Sequence, residues 1–137
     1  MDFESFVEWS GEYPGILSCQ NGVDIGYSLP SEFGGTRGSI SPEDAFLGSA
    51  NVCFQIVFVR IAESLGIDVL EYRSRAVGKL DVVDGARKFV RIDIEAEVKL
   101  SSPCADSRIQ KVVDATKRGC LVTNSMDLDI AVKVITA

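Results

Sequence analysis

The chain contains no histidine, so the residues best suited to chemistry are its four cysteines, at positions 19, 53, 104 and 120. Without imidazole there is no Ser-His-Asp or Cys-His nucleophile pair, no His-metal site and no imidazole acid–base catalysis. Catalysis has to come from thiols, carboxylates, Lys, Arg or Tyr. No Cys-x-x-Cys spacing occurs, which speaks against a zinc site and against a secreted disulfide scaffold. In a reducing cytosol such cysteines are thiols. Cys53 sits inside a long apolar stretch, where a cysteine on its own reads as a small buried hydrophobe. Cys120 directly follows Gly119, a place where backbone amides and solvent come close. Cys19 and Cys104 fall at a strand end and a helix start, and no arrangement gives them a role.

The elements that must position these thiols are legible in the pattern. Phe3, Val7 and Trp9 alternate with polar residues, Pro14-Gly15 marks a turn, and Asn21-Gly22 is a hairpin signal, so residues 1–30 read as a β-meander. Residues 31–40 contain three glycines and read as a loop. Ser41-Pro42-Glu43-Asp44 is a helix start: a capping serine, proline in the first turn, then two acids at the positive end of the dipole. That helix should run to about Leu65 and stop at Gly66. It is apolar around most of its circumference, so burial on nearly all sides is expected, by a wrapped sheet or by a partner subunit.

Two strands, 69–80 and 89–100, flank an Asp84-Gly85 turn. The second alternates Val90, Ile92, Ile94, Ala96, Val98 and Leu100 with Arg91, Asp93, Glu95, Glu97 and Lys99, so one face of this sheet should be wet. Ser102-Pro103 introduces a second helix carrying Ala105, Ile109, Val112, Val113 and Thr116 at helical spacing. Gly119 ends it, a short turn through Asn124 follows, and residues 128–135 read as the last strand. The order is βββ–α–ββ–α–β, an α+β chain expected to form a single domain over residues 1–137.

Composition narrows the function classes. A net charge of −6, with no basic stretch interleaved with aromatics, argues against a nucleic-acid partner. The N-terminus has neither the basic nor the apolar region of a secretion signal, and the apolar stretch 45–62 is broken by Asn51, Gln55 and Arg60. A cytoplasmic protein with no membrane association is expected.

Two segments resemble a known family. Pro42-Glu43, followed ten residues after the glutamate by Cys53-Phe54, resembles the Pro-Glu-Glu/Gln-Leu to Ala-Cys-Phe segment of the OsmC/Ohr group (osmotically inducible protein C and organic hydroperoxide resistance protein). The run Ala115-Thr116-Lys117-Arg118-Gly119-Cys120-Leu121-Val122-Thr123-Asn124 resembles the group's second segment, Ala-x-x-x-Cys-Pro-x-Ser-Asn. Element order agrees from about Phe3 to Ala137.

This resemblance implies antiparallel sheets wrapped around a buried central helix in an intertwined homodimer. It also implies a cysteine-based peroxidase for organic hydroperoxides, with Cys53 as attacking thiolate, Cys120 as resolving thiol and a dithiol reductant such as dihydrolipoamide. No metal, flavin or other cofactor is implied. In the family an arginine from the N-terminal meander, held by the glutamate matching Glu43, stabilises the thiolate. Here the matching segment, Ser10 to Gly15, has no arginine, and Arg37 in the glycine-rich loop is the nearest substitute. Leu121 replaces the usual proline, which should loosen that turn. Ten helical residues separate Glu43 from Cys53 by about 15 Å, so a shared site needs an intermediary or a second protomer. The alternative reading is an OsmC-like protein that binds an apolar or thiol-containing small molecule without peroxidase turnover.

Overall fold

The computed structural model describes residues 1–137 and divides into two compact units, residues 1–46 and 47–137. In the first unit, β1 (Ser5–Glu8), β2 (Gly15–Cys19) and β3 (Asp24–Tyr27) form an antiparallel sheet in chain order. The Asn21-Gly22 signal is used with one residue more than a two-residue hairpin needs. The Cys19 N–H donates to the Val23 carbonyl at 2.8 Å, leaving Gln20, Asn21 and Gly22 in the loop. The expected loop at 31–40 holds one short 3-10 turn, Ser31–Phe33.

Helix α1 (Pro42–Ser64) starts and stops where its caps require. Ser41 Oγ accepts from the Asp44 N–H at 3.1 Å, and the Asp44 carboxylate accepts from the Ser41 N–H at 3.1 Å. This reciprocal capping box satisfies two backbone donors. At the other end the Ile67 N–H reaches the Ala62 carbonyl at 2.9 Å and the Gly66 N–H reaches Glu63 at 3.0 Å. Both bonds need a left-handed residue between them, and Gly66 supplies it at φ 75°.

In the second unit β4 (Val69–Val83) and β5 (Ala86–Leu100) make a long antiparallel hairpin, three residues longer on each arm than the sequence pattern marks. Val83 pairs with Ala86 across a two-residue turn whose members, Asp84 and Gly85, have φ of 51° and 81°. Positive φ at both positions matches strand twist, so the arms stay paired to the tip. Helix α2 (Asp106–Gly119) and the short α3 (Leu121–Asn124) lead to β6 (Asp129–Thr136). β6 pairs with β5 in parallel, giving the order β4-β5-β6. This sheet is therefore mixed and not wholly antiparallel. A chain that crosses over a sheet through a helix returns in the direction it left.

One face of the sheet, built on Ile92, Ile94, Ala96 and Val98, is buried. From α2 come Ile109, Val112, Val113 and Thr116, and from α1 come Ala50, Phe54, Phe58 and Ala62. The Phe58 and Tyr72 rings meet at 5.7 Å, and Phe58 stacks on Phe54 at 6.3 Å. The expected all-round burial of α1 is not met within one chain. Its core residues recur every fourth position and form a single stripe, while Val52 is 58% and Ile56 47% exposed on the back. By length and composition α1 is apolar enough to span a bilayer, a property that core helices share.

Candidate active site

Cys53 lies in the middle of α1 beside its buried stripe, half-exposed, and Cys120 lies at the junction of α2 and α3, fully buried. The end of α2 lies against α1: a Cβ built on Gly119 would meet a Val57 methyl, one helical turn beyond Cys53, at 3.5 Å, an ordinary van der Waals contact. Cys120 is extended, with φ −79° and ψ 102°, and breaks the chain between the two helices. The two thiols come near each other. The Cys120 side chain and the backbone of Val122 and Leu121 are the groups near enough to act on the Cys53 thiol. All four cysteines are free thiols.

Desolvation by burial is the largest influence on Cys53, and it pushes the thiol above its ordinary pKa. The Val122 amide opposes this. The hydrogen bond and charge of Cys120 push upward again, and the Leu121 amide pulls down. No cation is among these groups.

Of the four residues marked by the sequence, the structure brings Cys53 and Cys120 together. Glu43 stays in the first turn of α1, half-buried, two to three turns from Cys53 along one continuous helix. Arg37 is exposed in the loop that precedes α1. Leu121 opens α3, whose Asn124 N–H closes on the Cys120 carbonyl at 3.0 Å. Sequence reasoning missed the Leu121 and Val122 amides. The available signal was a helix-compatible run directly after a cysteine, since the first amides of any helix lack internal acceptors. No cluster of three or more metal-ligating side chains exists.

Other concavities belong to the second unit. A groove of about 660 Å³ lies on the outer face of the β4-β5-β6 sheet and includes Arg73, Arg75, Glu95, Glu97 and Lys133. Register sets Arg73 opposite Glu97, Arg75 opposite Glu95, and Glu95 opposite Lys133, so the charges neutralise across the strands. This is the wet face the alternation marks. A smaller cavity of about 190 Å³ is lined by Asn51, Val52, Gln55, Tyr72 and Ser74.

The sequence matches the family model of the OsmC-like protein over residues 34–135. The chain belongs to the OsmC-like protein family. Its OsmC-like fold superposes on an OsmC-like protein of unknown function from Vibrio cholerae O1 with a TM-score of 0.93, at 19% identity, covering 98% of this chain and 99% of that one. An organic hydroperoxide resistance protein OsmC from Legionella pneumophila matches with a TM-score of 0.71 at 16% identity, covering 100% and 97%. The organic hydroperoxide resistance protein OhrB of Bacillus subtilis matches with 0.66 at 19% identity, covering 98% of each chain. No protein with a curated description matches the sequence.

Proposed function

We propose that this OsmC-like chain is a thiol-dependent peroxidase that reduces organic hydroperoxides. The observation that carries the reading is that the Cys53 and Cys120 thiols lie near enough to act on each other. The Cys53 thiolate attacks the terminal peroxide oxygen. The O–O bond breaks, a sulfenic acid forms on Cys53, and the alkoxide takes a proton and leaves as the alcohol. The Cys120 sulfur then attacks the sulfenic sulfur, forming the Cys53–Cys120 disulfide and releasing water. A dithiol reductant restores both thiols by exchange, itself becoming a disulfide.

The unit that performs this is proposed to be a cytoplasmic homodimer, each protomer a single functional domain. The exposed apolar back of α1 supports it, because Val52 and Ile56 need cover that one chain does not supply. Glu43 and Arg37 serve a thiolate, on this reading, from the opposite protomer, and the apolar surround favours an apolar peroxide.

The test is hydroperoxide consumption with a dithiol reductant. Cys53→Ser should abolish turnover, and Cys120→Ser should stop after one equivalent with sulfenic acid trapped by a dimedone-type reagent. Turnover that survives Cys53→Ser removes the assignment.

A second reading, a small-molecule-binding protein without turnover, is favoured by the absence of a cation among the groups acting on Cys53. Tight ligand binding together with no peroxide consumption by reduced wild type would decide for it.

A further inference from the structure

Four polar side chains gather where the packing of α1 on the sheet calls for apolar ones. On β4, Tyr72 and Ser74 alternate onto the dry face of the sheet, opposite the buried Val98 and Ala96 of β5. On α1, Asn51 and Gln55 stand one turn apart on a single face. These four, with Val52, line a cavity of about 190 Å³, room for about six water-sized groups. The 2.7 Å bond from the Ser74 hydroxyl to Asn51 Oδ1 ties the two elements there, and it uses the acceptor of Asn51 and not its N–H donors. The Tyr72 ring is held against Phe58, centroids 5.7 Å apart, while its hydroxyl oxygen is buried without a hydrogen-bond partner. A buried polar group left unpaired costs free energy, so a fold that keeps one needs a reason for it. Burial pushes this hydroxyl above its ordinary pKa, with Ser74 pulling it down, so the group stays a protonated donor.

We infer that this cavity is a binding site for a small uncharged carboxamide, whose carbonyl oxygen accepts the hydrogen bond that the Tyr72 hydroxyl lacks. None of the five lining residues is charged, so an ion entering would lose hydration and gain no counter-charge. The Tyr72 hydroxyl and the Asn51 N–H groups call for an acceptor oxygen. Gln55 carries a carbonyl and an amide nitrogen side by side, the complement of a ligand amide's own pair. Val52 supplies an apolar wall for a short alkyl chain, and the volume limits the ligand to about six non-hydrogen atoms. The site is separate from the thiols. Two residues along a helix turn its face by about 200°, so Cys53 lies on the other side of α1 from both Asn51 and Gln55. The inference therefore does not rest on the peroxidase reading.

The experiment is a titration of butyramide into the isotope-labelled full-length protein, followed by nuclear magnetic resonance of its backbone amides and side-chain amide groups. Saturable shifts centred on Asn51, Gln55, Tyr72 and Ser74 are expected, with a dissociation constant in the millimolar range that suits so small a ligand. Butyrate, the charged counterpart of the same shape, should give none. Tyr72→Phe keeps the ring on Phe58 and removes the donor, so it should weaken butyramide binding about tenfold. Gln55→Leu keeps the bulk and removes the amide; it should weaken binding as well, and it carries the test should Tyr72→Phe fail to fold. A cavity that holds only ordered water, or one that a second protomer fills, gives no saturable shift up to the solubility limit of butyramide. That result overturns the inference, as does equal affinity in wild type and Tyr72→Phe, or butyrate binding as well as butyramide.

Discussion

The Ser74 hydroxyl donates to Oδ1 of Asn51 at 2.7 Å, tying β4 to α1 two residues before Cys53. Near this bond the Tyr72 hydroxyl is buried without a well-formed partner, and Ser74 is the polar side chain that acts on it. One polar pair thus fixes the helix on the sheet while an adjacent polar atom goes unrewarded.

The two residues should respond to truncation with opposite signs. Ser74→Ala strands a half-buried amide and should lower stability by about 1 kcal/mol in urea unfolding. Tyr72→Phe removes an unsatisfied hydroxyl while keeping the ring against Phe58, so stability should hold or rise by up to about 1 kcal/mol. A clear loss in Tyr72→Phe would reveal a partner for the hydroxyl.

Cys53 is held above the ordinary thiol pKa, first by burial, so its thiolate is scarce at neutral pH. Peroxide consumption should therefore climb as pH rises into the alkaline range, past the ordinary thiol value of about 8.5. A rate that is flat from weakly acidic to neutral pH would mean that a cation ionises the thiol in the working protein.

Arg37 is the residue that would supply such a cation. If it does so from the opposite protomer, Arg37→Ala raises the alkylation midpoint of Cys53 and slows peroxide consumption without changing stability. An unmoved midpoint strips Arg37 of the role.

The capping box at the start of α1 holds the helix that carries Cys53. Each single variant loses one of the two reciprocal bonds; Ser41→Ala should cost about 1 kcal/mol, and Asp44→Ala less, because the serine still caps a first-turn N–H of the helix. Thermal unfolding of the two single variants and the double variant measures the coupling between them.

Local rules made most of the elements readable. Serine and aspartate at 41 and 44 and glycine at 66 delimit α1 by satisfying backbone groups that sequence neighbours alone can reach. Asp84-Gly85 dictates a tight hairpin because both residues accept positive φ. The strict alternation in β5 assigns its dry and wet faces. The charged outer groove needs no function beyond that alternation.

What only the folded chain decided lies in contacts between residues far apart in sequence. The parallel pairing of β6 follows from where the α2 crossover returns, which no periodicity encodes. Cys53 and Cys120 are 67 positions apart, and neither spacing nor burial preference says that the two thiols come near enough to act on each other. The groups that act on the Cys53 thiol besides Cys120 belong to the backbone of residues 121 and 122, so side-chain identity could not single them out.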